Sequence, residues 1–170
     1  PVLMTTPPGT RRRVPRHDIP VSTPTPAEVL GPVVTAIDHV GFAVRDLDAA
    51  IEFYGRAFGL PLVHRGVNGE QGGEEGMVGI GDSCSQLLAA LRPDTAIGKF
   101  LERNGEGIQQ VAFRVVSVDD ASQRLRDAGL RLLYDAPRRG TAGSRINFVH
   151  PKDAGGVLIE LVEPPAEGAH

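Results

Sequence analysis

Cysteine is almost missing from these 170 residues. Cys84 stands alone, which excludes an intrachain disulfide framework and suits a reducing cytoplasm. Charge of one sign is not in excess either: the formal net charge is −3, so nothing electrostatic points to nucleic acid or an anionic membrane as partner. No apolar run approaches the roughly 20 residues that a membrane span requires. Arg11-Arg12-Arg13 is followed by no apolar stretch of the kind a secretory signal carries, which argues against export. With 41% apolar and 23% charged residues, the expectation is one ordinary globular domain with a substantial core.

Helical or strand periodicity is also missing from the first 33 residues. Eight of the 14 prolines lie between Pro1 and Pro32, among Thr and Ser, and such a stretch cannot offset the entropy of being ordered. Residues 1–33 are therefore read as a disordered extension, with Met4 inside it as a candidate start. Residues 34–164 form the expected domain, and 165–170 a short tail.

What is present is a repeat. Ile37-Asp38-His39-Val40-Gly41-Phe42-Ala43-Val44 is answered 71 positions later by Ile108-Gln109-Gln110-Val111-Ala112-Phe113-Arg114-Val115. Each copy runs into a helical pattern closed by Gly-Leu, at Gly59-Leu60 and Gly129-Leu130. The first unit reads as a strand at 37–44, a helix from Leu47 to Phe58 capped by Asp46, and strands at 60–64, 77–80 and 86–91, with a Gly/Glu-rich connection over 67–76. A linking helix spans 95–104. The second unit reads as a strand at 109–116, a helix to Ala128 capped by Ser117 or Asp119, and strands at 130–134, 145–149 and 157–162. Two βαβββ modules, about 34–92 and 107–164, thus make an α+β fold of curved mixed sheets, and neither module is large enough to bury both faces alone.

The duplication places His39 and Gln110 at equivalent points on the first strand of each module, and Gln86 and Glu160 on the last. Glu160 interrupts the otherwise apolar run Val157–Val162, and a buried carboxylate needs a cation, a proton or strong donors. Arg114 or Arg145 would serve as a plain ion-pair partner. An imidazole, two amide oxygens and a carboxylate also suit a six-coordinate divalent ion with water in the open positions. Gly41, Ala43 and Ala112 leave room beside them for a cleft.

These residues, together with Asn68-Gly69-Glu70-Gln71-Gly72, Gly98-Lys99-Phe100-Leu101, Asn104-Gly105-Glu106-Gly107, Arg145–Lys152 and Gly155–Glu160, resemble the methylmalonyl-CoA epimerases of the vicinal oxygen chelate superfamily. The likeness runs from about Val34 to Glu163. It implies paired βαβββ modules, a divalent metal with cobalt the expected ion in vitro, and metal ligands at His39, Gln86, Gln110 and Glu160. It also implies an acyl-CoA substrate, a homodimer, and Glu75 as the catalytic carboxylate that works with Glu160. Glu74 and Glu70 are rivals for Glu75 on charge alone. Where the family usually has two histidines this chain has Gln109-Gln110, and losing an imidazole donor is expected to weaken binding of cobalt- or zinc-like ions. Two other readings stay open. One is a different metalloenzyme of the superfamily, either a glutathione-dependent lyase or an extradiol dioxygenase needing a second histidine. The other is a metal-free binding module.

Overall fold

A computed structural model describes residues 33–69 and 72–165. The extension expected over 1–32 and the tail from 166 lie outside the described residues, as do Glu70 and Gln71. Among the described residues no helix is long and apolar enough to cross a membrane.

The first module contains β1 (Val34–Val44), α1 (Leu47–Phe58), β2 (Leu62–Asn68), β3 (Gly73–Ile80) and β4 (Ser83–Ala90). Helix α2 (Ala96–Asn104) links it to the second, which contains β5 (Gly107–Val115), α3 (Val118–Asp127), the two-residue β6 (Arg138–Arg139), β7 (Arg145–Val149) and β8 (Leu158–Glu163). All strands belong to one eight-stranded sheet in the order β2-β3-β4-β1-β5-β8-β7-β6. In each module the first and last strands pair in parallel, β1 with β4 and β5 with β8, and the two modules join where β1 and β5 run antiparallel.

The join obeys the repeat. His39 pairs with Ala112, Val40 with Val111 and Gly41 with Gln110. A shift of 71 residues turns the first of these pairs into the last and leaves Val40–Val111 unchanged, so the pseudo-twofold axis passes through that central pair. The cores follow the same symmetry. Val44, Val78 and Leu87 of the sheet pack with Leu47 of α1, and Val115 and Leu161 with Val118 and Ala121 of α3.

Local chemistry sets the helix ends. The Asp46 carboxylate accepts from the Ala49 amide at the start of α1, and Gly59 closes it in the left-handed conformation at φ 68°, which a residue without Cβ adopts freely. Thr95 and Ser117 cap α2 and α3 in the same manner.

Two sequence expectations need correction. The Gly/Glu-rich stretch is not a loop up to Gly76. β3 begins at Gly73, with Glu74 opposite Val67 and Glu75 opposite Gly66, so both carboxylates stand on a strand and project to opposite faces. Residues 130–134 do not form a full strand: Leu132 makes an isolated bridge to Val149. There the fully buried Asn147 side chain takes over from a backbone ladder, donating to the Tyr134 carbonyl and accepting from the Tyr134 amide.

Candidate active site at the module junction

The strands that meet at the pseudo-twofold axis carry a matched irregularity. Along β1, Ile37 pairs with Phe113 but His39 with Ala112, so Asp38 is an extra, bulged residue. Along β5, Gly41 faces Gln110 but Phe42 faces Ile108, so Gln109 is the bulged residue. A bulge re-aims side chains that strict alternation would send to the far face. Each module thus places one bulged polar residue immediately before its site residue: Asp38 before His39, and Gln109 before Gln110.

His39, Gln86, Gln110 and Glu160 converge, and each is no more than 7% exposed. The Gln110 amide nitrogen lies at the centre of the group. It donates to Glu160 Oε2 at 2.7 Å and to Gln86 Oε1 at 3.1 Å, and it sits 3.4 Å from His39 Nε2. His39 Nε2 is 3.2 Å from Glu160 Oε2. The amide orientation follows from its neighbours, because an oxygen in place of that nitrogen would face a carboxylate oxygen at 2.7 Å with no proton between them. Gly41 makes the approach possible: a Cβ there would lie 2.5 Å from Gln110 Cγ.

The network continues in both directions. Gln86 Nε2 donates to Glu75 Oε2 at 2.6 Å, and the Thr141 hydroxyl donates to Glu75 Oε1 at 2.7 Å. Glu75 is 5% exposed, with His64 Nε2 at 3.7 Å from its Oε1. On the other side, His39 Nδ1 lies 3.0 Å from Asp38 Oδ1, while Arg114 Nε donates to Asp38 Oδ2 at 2.8 Å. Burial opposes a charge on His39, but its hydrogen bonds to Asp38 and Glu160 outweigh that and push its pKa up to about 9. Burial likewise opposes the Asp38 charge, and the bonds to His39 and Arg114 prevail to hold its carboxyl below the usual value.

Two cavities flank the network. One of about 320 Å³ is lined by Gln109, Gln110, Tyr134 and Phe148, beside the start of α2. The other, of about 370 Å³, is lined by His64, Glu75, Arg139 and Thr141. Next to Thr141, Ala142 holds φ at 53°, the one positive φ outside glycine among the described residues. Such backbone strain clusters at functional sites.

Residues 36–161 match the family described as the glyoxalase/bleomycin resistance protein/dioxygenase superfamily. A crystal structure of methylmalonyl-CoA epimerase from Mycobacterium tuberculosis is 52% identical, with a TM-score of 0.77 over 79% of this chain and 91% of that one. A methylmalonyl-CoA epimerase in complex with methylmalonyl-CoA and NH4+ is 50% identical, with a TM-score of 0.77 over 78% and 96%. The mitochondrial methylmalonyl-CoA epimerase of Bos taurus is 33% identical over 86% of this chain and 89% of its own length. The chain belongs to the methylmalonyl-CoA epimerase family.

The candidate residues are placed differently within this fold. All five residues expected from the resemblance, His39, Glu75, Gln86, Gln110 and Glu160, fall in one connected network. Glu74 is excluded from it, because it faces away and pairs with Arg65 at 2.8 Å. Glu70 lies outside the described residues. Neither arginine proposed as a simple partner for Glu160 reaches it: Arg114 holds Asp38, and Arg145 is taken by Asp119 and Glu163. Among the described residues no second histidine joins His39, since His64 stands beside Glu75 and His150 caps the turn at Pro151–Asp153. Sequence reasoning missed Asp38 and Thr141, and it offered Arg114 to Glu160 where the structure gives it to Asp38. Asp38 was signalled by its place beside His39, whereas nothing local marks Thr141, which reaches Glu75 across 66 residues of chain.

Proposed function

We propose that this chain epimerises methylmalonyl-CoA at its α-carbon, with Glu75 and Glu160 as the two proton-handling groups. The carrying observation is that two buried carboxylates, one from each module, are joined through Gln86 and Gln110 in one network between two cavities. Inverting a carbon that bears a weakly acidic proton requires one group to remove it and another to return a proton from the opposite face. Glu75 is built for the first task. Gln86 and Thr141 each hold one of its oxygens, so the carboxylate keeps its orientation while it takes and releases a proton. Glu160, on the other module, supplies the opposite face.

A divalent ion fits the remaining residues. His39 Nε2, Gln86 Oε1 and Glu160 Oε2 already surround a common point, and Gln110 would complete the set by presenting its amide oxygen. Among the described residues no three His, Cys, Asp or Glu side chains cluster to hold a metal, so the donor set leans on its two amides. Such an ion supplies Lewis-acid stabilisation of the negative charge that develops on the thioester and carboxylate oxygens. The ion's identity, with cobalt our expectation in vitro, belongs to this proposal, as do a homodimeric state and a cytoplasmic location.

The test follows deuterium from solvent into the α-carbon of methylmalonyl-CoA, with chelator and after cobalt is restored. Exchange coupled to epimer conversion and lost on chelation supports the whole reading. Exchange indifferent to chelator keeps the epimerase and removes the metal. No exchange under any ion removes the epimerase.

A further inference from the structure

We infer that Gln110 is a two-state residue that fills the ion's place with its own amide nitrogen in the metal-free protein and must turn that amide over to admit an ion. The inference rests on the proposal that His39, Gln86, Gln110 and Glu160 hold a divalent ion. Three observations carry it. The amide nitrogen, not the oxygen, faces the other three residues. Its two hydrogens are matched by two oxygens, those of Gln86 and Glu160, so each of these buried oxygens has a donor. The side chain reaches this position only because Gly41 has no Cβ, which a larger residue would press to 2.5 Å from Gln110 Cγ.

The physical consequence follows directly. Without the Gln110 donor, Gln86 Oε1 would lose its hydrogen bond and Glu160 Oε2 would keep only His39 Nε2, and a buried oxygen deprived of its donor destabilises the fold. An inward N–H donor removes that cost, so metal-free protein of this sequence keeps a closed, satisfied site. An arriving ion must then break two hydrogen bonds, one of them to a carboxylate, before Gln110 offers its oxygen. Gln110 therefore trades ion affinity for stability without the ion. An amide oxygen is also a harder donor than imidazole, so the loss should be smaller for manganese than for cobalt or zinc.

The experiment compares wild type with Gln110→Glu, which keeps the shape and replaces the N–H donor by a second carboxylate. Thermal denaturation in chelator and calorimetric titration with Mn2+ and Co2+ are the readouts, both independent of turnover. The metal-free Tm of the variant should fall by several degrees, while its affinity for both ions should rise about tenfold or more, the scale of one charge-assisted hydrogen bond. Gln110→His supplies the second variant: its Co2+ affinity should rise more than its Mn2+ affinity. In metal-free wild type, the Gln110 side-chain amide protons should exchange slowly by NMR, and quickly once diamagnetic Zn2+ is bound. If the variants bind ions no more tightly than wild type, or metal-free Gln110→Glu is as stable as wild type, the two-state role is wrong while the metal site survives. If wild type and variants all bind no ion although deuterium exchange proceeds, the metal site and the two-state role both fall and the epimerase stands.

Discussion

The two modules share a backbone and differ in chemistry, and the difference is confined to a few positions. Asp38-His39 and Gln109-Gln110 occupy the same places on β1 and β5, each behind its own bulge. In the first module the bulged residue works as a support: Asp38 holds the His39 ring and is itself held by Arg114. In the second module the bulged residue supports nothing, because Gln109 Oε1 is buried without a hydrogen-bond partner, while Gln110 turns into the cluster. Symmetry breaks again on the next strands. Gln86 pairs with Met77 across β3 and β4, and Glu160 with Phe148 across β7 and β8, so Glu75, two residues before Met77, corresponds to the buried Ile146. A duplicated frame thus presents the positions proposed as ligands twice and the proposed base once.

The largest effect should come from the position with no counterpart. Glu75→Gln keeps the hydrogen-bonding shape yet removes the base, so turnover should fall roughly 100- to 10,000-fold with Tm and Co2+ affinity near wild type. Deuterium wash-in measures the loss, and near-normal exchange would place the base elsewhere. Next comes the support in the first module. A carboxylate behind a ligating histidine fixes its tautomer and ring orientation, so Asp38→Asn should weaken Co2+ binding roughly 10- to 100-fold. Titration calorimetry reads this directly, and an unchanged affinity would reduce Asp38 to a surface ion-pair partner of Arg114.

How much of this was legible in the sequence depended on whether the information was local. The 71-residue repeat picked out four positions that the fold brings together, because pairing between modules follows the repeat offset. Helix α1 matched its reading from Leu47 to Phe58, since Asp46 and Gly59 mark its ends chemically. The strand that carries Glu75 was misread because Gly73 and Gly76 look like loop residues, whereas their lack of side chains makes room for Ile97 and Ile51 pressed against the sheet. The two bulges were invisible, because a bulge is a property of the pair of strands and not of either one. Thr141 was unreadable for the same reason: its contact with Glu75 joins the two modules.

A smaller effect tests why the two halves carry different small residues at the axis. Gly41 and Ala112 are repeat equivalents, paired opposite Gln110 and His39 respectively. The methyl of Ala112 is tolerated there, and it packs with Ile146 and Phe148. The methyl of Gly41→Ala would meet Gln110 Cγ at 2.5 Å, so Gln110 must shift. Overpacking of this kind typically costs about 1–3 kcal/mol. Thermal denaturation in chelator should show that loss for Gly41→Ala. A Gly41→Ala protein as stable as wild type would mean that Gln110 has other room to occupy.

The smallest effect should have the opposite sign and concerns the second module's idle bulge. Gln109 Oε1 is enclosed without a donor, and an unmet buried acceptor costs about 1–3 kcal/mol. Gln109→Leu has similar bulk and no acceptor, and its neighbours at the cavity include the apolar Leu133, Phe148 and Leu158. Its Tm should therefore hold or rise by a few degrees, where Asp38→Asn at the matching position weakens the site. Denaturation of the two variants side by side makes the comparison. A Tm loss in Gln109→Leu equal to that of a core truncation would show that the carboxamide has structural partners after all, and the two bulges would then be alike in function as well as in shape.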